Sequence, residues 1–132
     1  MLLSLLIVLS ANPKPTCEQL WPQVWAALEK QEFQDGKPPM FDRVPQAKER
    51  FANAWIGECK RFTPEELACA RGETLEKELA ALKKKLQAEK MPKEDLDTGL
   101  KHARMHWTIL ECKEVDRSID RAANLVATDA GL

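Results

Sequence analysis

Four cysteines constrain this chain more than any other feature. Cys17, Cys59, Cys69 and Cys112 are spread across 132 residues, and no two form a C-x-x-C pair. That spacing excludes a thioredoxin-type redox motif, a c-type haem attachment and a zinc ribbon together. An even set outside the reducing cytosol is expected to form two disulfides. The competing use, four reduced core thiols in a cytosolic protein, is opposed by the N-terminus. Residues Leu2 to Leu9 form an apolar run broken only by Ser4, followed by Ser10-Ala11 and then Asn12-Pro13-Lys14-Pro15. A bilayer span needs about 20 apolar residues, so the run is too short to cross one. It has the form of a signal-peptide h-region with small residues at its cleavage end, although no basic segment precedes it. The sequence therefore divides into a signal-peptide-like segment at 1–11, a short linker at 12–16 and a single helical domain at 17–132. The mature chain is expected to begin near Ala11 or Asn12. No cysteine follows the run directly, which argues against a lipid anchor.

Past the linker the apolar periodicity is helical nearly throughout, and strict alternation is missing. A first helix is predicted over roughly 17–33, with Cys17, Leu20, Trp21, Val24 and Leu28 on one face and Pro22 in its first turn or kinking it. Asp35-Gly36-Lys37-Pro38-Pro39 breaks the chain. A second helix, roughly 43–61, takes Asp42 as its cap and turns Val44, Ala47, Phe51, Ala54 and Trp55 inward. Thr63-Pro64-Glu65-Glu66 is a capping box with proline at the first helical position, so a third helix starts at 64, and Gly72 ends or bends it. Leu75, Leu79, Leu82 and Leu86 place a fourth helix over 73–90, ended by Met91-Pro92. The last helix is predicted from about 93 or 99 to 127, with Met105, Thr108, Cys112, Val115, Ile119, Ala122 and Val126 along one seam. A second stripe holds Leu100, Ala103, Trp107 and Leu110. The fold class is thus all-α, a small bundle of four to five helices stapled by two disulfides. Cys59–Cys69 is the favoured pair, because nine residues containing a helix corner separate them. Cys17–Cys112 follows by elimination and joins two inward-facing cysteines on the first and last helices.

The balance of 20 Lys+Arg against 21 Asp+Glu removes the electrostatic footprint of a nucleic-acid binder. With five glycines and neither G-x-x-x-x-G-K-[ST] nor G-x-G-x-x-G, nucleotide chemistry by the common routes is also excluded, and no cofactor is expected. No G-x-S-x-G is present, nothing singles out a carboxylate pair, and every cysteine is better used in a bridge. The expected function is a non-catalytic exported module that binds a protein or an apolar ligand. Trp21, Trp25, Trp55 and Trp107 are chiefly core, and Trp25, at the edge of its stripe, is the first choice for an exposed binding patch. The alternative is a periplasmic metal-binding protein using His102 and His106, whose i, i+4 spacing puts both imidazoles on one helix face. Asp95, Asp97 or Glu111 would have to complete such a site.

The stretch from Phe51 through Ala54-Trp55 and Cys59 to Phe62-Thr63-Pro64-Glu65 and Cys69 is similar to a pattern in small exported helical proteins of myxobacteria and their relatives. In that group a phenylalanine-bearing helix ends at a cysteine, a Pro-Glu corner follows and a second cysteine closes it. The resemblance covers about 20 residues, and implies export and a Cys59–Cys69 staple, without a function. A lipobox, frequent in that group, is absent here, so membrane anchoring is not implied.

Overall fold

The computed structural model describes residues 13–132, and the signal-peptide-like segment lies outside the described residues. Seven α-helices and one 3-10 turn are formed among those residues, and no strand. In chain order they are α1 (Cys17–Gln31), α2 (Met40–Arg43), α3 (Ala47–Cys59), α4 (Pro64–Ala70), α5 (Glu73–Ala88), α6 (Lys93–His106), the 3-10 turn Ile109–Glu111 and α7 (Lys113–Asp129). The all-α class is as the periodicity predicts. The count exceeds four to five because two predicted helices are each broken once.

The first break is at Val44-Pro45-Gln46. Proline disfavours the α conformation in the residue before it, and Val44 is extended. Gln46 then adopts φ 56°, ψ 34°, so the helix restarts at Ala47 and Asp42 sits inside α2 instead of capping α3. The inward face nevertheless holds, with Val44, Ala47, Phe51 and Trp55 buried. The second break is at Trp107-Thr108, both extended. Neither residue is a helix breaker by itself. Here the chain leaves α6 to return to the main bundle, burying Ile109 and packing Trp107 and Leu110 against its core. Gln31 donates to the Thr108 hydroxyl at 3.2 Å across this junction. The predicted 93–127 seam is therefore valid only from Cys112 onward; Met105 belongs to another helix axis and is 70% exposed.

Two helix starts and one helix junction follow local chemistry closely. Thr63 accepts from the Glu66 amide while the Glu66 carboxylate accepts from the Thr63 amide, completing the predicted box. Thr16 and Gln19 form the same reciprocal pair at the start of α1. Gly72, at φ 79°, supplies the left-handed turn between α4 and α5 that a residue with a Cβ adopts only with strain. Pro22 lies in the second turn of α1 and is tolerated there because both it and Glu18, whose carbonyl loses a partner, face solvent.

The two disulfides pair differently from the expectation. Cys17 joins Cys59 and Cys69 joins Cys112, with Cα–Cα separations of 5.8 and 6.0 Å. Cys59–Cys69 and Cys17–Cys112 are both incorrect, and so is the Cys59–Cys69 staple implied by the resemblance. The reason is directional. Cys59 ends α3 facing α1, whereas α4 carries Cys69 more than a turn past the corner, to the start of α7. Closeness in sequence across a corner brought the backbones together but aimed the side chains at different neighbours. Each bridge closes a loop of similar length, spanning 42 and 43 positions, and on the chain-entropy account each contributes about 4 kcal/mol.

Seven of the eight aromatic side chains form one ring cluster within the main core, and Trp107 packs against that core apart from them. Trp21, Trp25 and Trp55 meet Phe33, Phe41, Phe51 and Phe62 in a continuous chain of edge and tilted contacts 5.3–6.5 Å between centroids. The α3–α7 pair is the most extensive helix contact and carries Trp55 at its centre. The Trp55 indole donates to the Ser118 hydroxyl at 2.9 Å, and Ser118 donates onward to the Val115 carbonyl at 2.6 Å. This chain of two bonds satisfies the polar groups buried at that contact.

A second, smaller core is separate: Leu79, Leu96 and Leu100 are buried between α5 and α6, flanked by Leu75, Leu86 and Ala103. These helices form an antiparallel hairpin, pinned by a bidentate pair in which Arg104 donates to both Glu76 oxygens at 2.9 Å. The hydrogen bond from Arg104 holds the Glu76 carboxyl below its ordinary value. A lowered carboxyl stabilises the fold above its unfolded value, and that contribution is lost as pH falls through the lowered one. Amide protection factors across α5 and α6, with the intrinsic slowing of exchange at low pH divided out, should accordingly fall as pH drops through the Glu76 titration, and Arg104→Gln should remove that fall. For the main core, Ser118→Ala leaves the Trp55 N–H buried without a partner, and should cost about 1–3 kcal/mol in urea unfolding. The Trp55→Phe/Ser118→Ala double variant should cost less than the sum of the two single changes.

Candidate interaction surface

The sequence offers few chemically distinctive side chains, so the site depends on which of them the fold leaves exposed. Trp25 is not one of them: it is only 7% exposed, ringed by Phe33, Phe41 and Phe51, and the Lys48 and Lys37 ammonium groups lie 4.8 and 5.4 Å from its ring centroid. The expected binding patch at Trp25 is thus replaced by a buried aromatic contact under a cationic cover. Trp107, partly buried at the α6 exit, is the one tryptophan outside the aromatic cluster.

His102 and His106 are exposed on α6, with ring centroids 4.1 Å apart. Among the described residues no group of three or more histidine, cysteine, aspartate or glutamate side chains is assembled around a possible metal position. Asp95, Asp97 and Glu111 therefore do not complete a site with the pair.

The exposed apolar residue with the most developed surroundings is Leu125 on α7, at 49% exposure. It stands between two open grooves of about 630 and 390 Å³ that run along the α3–α7 seam. Arg50, Asn53 and Asp129 border the larger groove, and Arg61, Asn124 and Thr128 the smaller. Leu125 precedes the buried seam residue Val126 by one position, or about 100° around the helix, which carries it onto the outer shoulder of α7. The signal for that position is that Val126 falls on the seam with Val115, Ile119 and Ala122 while Leu125 falls beside it. The arginines across the seam carry no such signal, because nothing in the sequence says that α3 is the neighbour of α7.

One charged network is built into this face. Glu58, 6% exposed, accepts from Arg121 at 2.5 Å and pairs with Arg61 at 3.3 Å, while Arg121 also reaches Glu114. The bond to Glu58, followed by that to Glu114, raises the Arg121 pKa further above its ordinary value, so its charge is fixed throughout the working range. The carboxylate is consumed internally, whereas Arg61 and Arg50 keep exposed guanidinium groups beside Leu125. The combination of a protruding leucine, two shallow grooves and arginine donors suits an extended or helical segment carrying an apolar side chain next to carboxylates.

Comparison with protein-family models, with curated proteins and with solved structures gives no match to the chain. What can be said of its role rests on its own residues.

Removing Arg121 leaves Glu58 buried with a weaker partner. Arg121→Met should destabilise the fold by about 1–2 kcal/mol in urea unfolding, less than for a fully buried pair because Arg121 is 47% exposed and partly screened. Glu58→Gln/Arg121→Met should recover part of that loss.

Proposed function

We propose that this protein is a non-catalytic exported interaction module, acting in the periplasm or outside the cell, whose partner is a protein segment presenting an apolar side chain flanked by carboxylates. The observation that carries the reading is Leu125, half exposed between two grooves and bordered by arginines on a rigid two-helix face. Arginine is enriched at interfaces, and charge complementarity sets both encounter rate and register. Rigidity supports the same reading. The α3–α7 contact is packed around buried Trp55, whose indole is bonded to Ser118, so the face is formed before a partner arrives and little ordering entropy remains to oppose binding. Two disulfides fit an oxidising compartment, and among the described residues no helix is long and apolar enough to cross a membrane. Export is further supported by the h-region form of Leu2 to Leu9.

The test combines location with contact. The full-length chain, expressed with its own N-terminus, should be recovered outside the cytoplasm, with non-reduced peptide mapping giving Cys17–Cys59 and Cys69–Cys112. A photo-crosslinking residue placed at Asn53 or Asn124 should capture a discrete partner, whereas the same probe at Gln23 on α1 should not. Leu125→Asp and Arg50→Glu should each reduce the adduct without altering helix content. A wholly cytoplasmic, reduced protein, or equal capture from Gln23, would overturn the reading.

A further inference from the structure

Independently of the α3–α7 face, we infer that His102 and His106 form a bidentate chelate for a late first-row divalent metal ion, taken one per chain at the base of the α5–α6 hairpin.

The argument begins with spacing. Residues four apart on an α-helix are stacked on one face, about a turn from each other, and α6 runs unbroken from Lys93 to His106, so both rings project from a formed helix. Their centroids are 4.1 Å apart with planes inclined at 55°. Two imidazole nitrogens bound to one ion at about 2.0–2.1 Å must lie roughly 3 Å apart. Small rotations of two exposed side chains bring the pair to that separation, with no movement of backbone.

The surroundings leave the position open. Arg104, the cationic side chain between the two histidines in sequence, is drawn to Glu76 through two hydrogen bonds of 2.9 Å, which satisfies its charge on the hairpin. Beyond His106 the chain turns extended at Trp107, so no further helical turn covers the rings. His106 is the last residue of α6, where the helix carbonyls carry partial negative charge and favour a bound cation. The hairpin base is also restrained covalently. Cys69 and Cys112 bracket both helices and are joined, so the histidines sit on an arm whose two ends are fixed to the bundle.

The donor set selects the ion. Two neutral imidazoles suit copper(II), nickel(II) and zinc(II), with copper(II) the tightest by the general order of divalent affinities. Hard oxygen-seeking ions such as magnesium and calcium have no carboxylate cluster here to hold them. Water fills the remaining coordination positions.

The experiment is calorimetric titration of the oxidised full chain with copper(II), nickel(II) and zinc(II) chloride in a non-chelating buffer, alongside His102→Ala, His106→Ala and a rearranged Lys101→His/His106→Gln variant. The rearranged chain keeps two histidines but sets them on adjacent positions, where they diverge around the helix. The expected result is one saturable site per chain with copper(II) tightest. Either single alanine variant should bind at least about tenfold more weakly, since loss of a ligand costs no less than loss of a ligand's supporting contact. The rearranged variant should match His106→Ala. Circular dichroism should show all variants equally helical, because both rings are exposed. No saturable binding by the parent chain, unchanged affinity in the alanine variants, or parent-like affinity in the rearranged chain would each overturn the inference.

Discussion

The α3–α7 contact is what the remaining structure depends on. Trp55 fills its centre, Ser118 satisfies the indole, and Glu58 with Arg121 closes the solvent edge of the same interface. The two helices are far apart in the chain, so a large loop must be closed before any of this burial is gained. The disulfides divide that cost. Cys17–Cys59 closes α1, α2 and α3 into one loop, Cys69–Cys112 closes the hairpin into another, and the loops do not overlap. With both formed, the unfolded chain is already reduced to two rings joined through residues 60–68.

That arrangement also explains why the molecule has two cores instead of one. The main core is saturated with aromatic rings, and the short α4 leads the chain away from it at Gly72. The α5–α6 hairpin then buries leucines against itself, with Leu79, Leu96 and Leu100 inside and lysine-rich surface outside. Three buried leucines make a weak core for two helices of this length. The Arg104–Glu76 pair and the covalent clamp at the base compensate, the clamp acting mainly on the unfolded ensemble and the ion pair on the folded one. The hairpin therefore relies on its ion pair and its covalent clamp as well as on burial, while the α3–α7 face is set chiefly by burial.

What could be read from the sequence and what could not divide along a physical line. Features decided by a few neighbouring residues were legible: the helical period, the Thr63-Pro64-Glu66 start, the stop at Gly72, the inward set Ala47, Phe51 and Trp55, and the all-α class. Pro45 was equally local, and its effect on Val44 follows from the steric bias that any proline imposes on the residue before it. Features decided by tertiary direction were not legible. The break at Trp107-Thr108 has no local breaker and exists because Ile109 and Leu110 are drawn to the main core. Met105 fell on the wrong side because a seam drawn through that break joins two different helix axes. Trp25 was placed at a stripe edge by its position on α1 alone, whereas Phe33, Phe41 and the lysines that cover it come from the following segments.

The sulfur pairing shows the same distinction most sharply. Nine residues between Cys59 and Cys69 make a short loop cheap to close, and loop entropy alone favours it. Entropy, however, ranks only pairings whose side chains can meet. Cys59 is fully buried at the end of α3 and bonded to Cys17 on α1, and a bond to Cys69 would require turning it out of that contact and leaving a void in a close-packed core. The expected pairing would combine that short loop with a very long one between Cys17 and Cys112, and because loop entropy grows only logarithmically with length, the two pairings restrict the unfolded chain to nearly the same extent. The pairing observed is the one that packing permits, linking helices that touch rather than residues that are near in sequence.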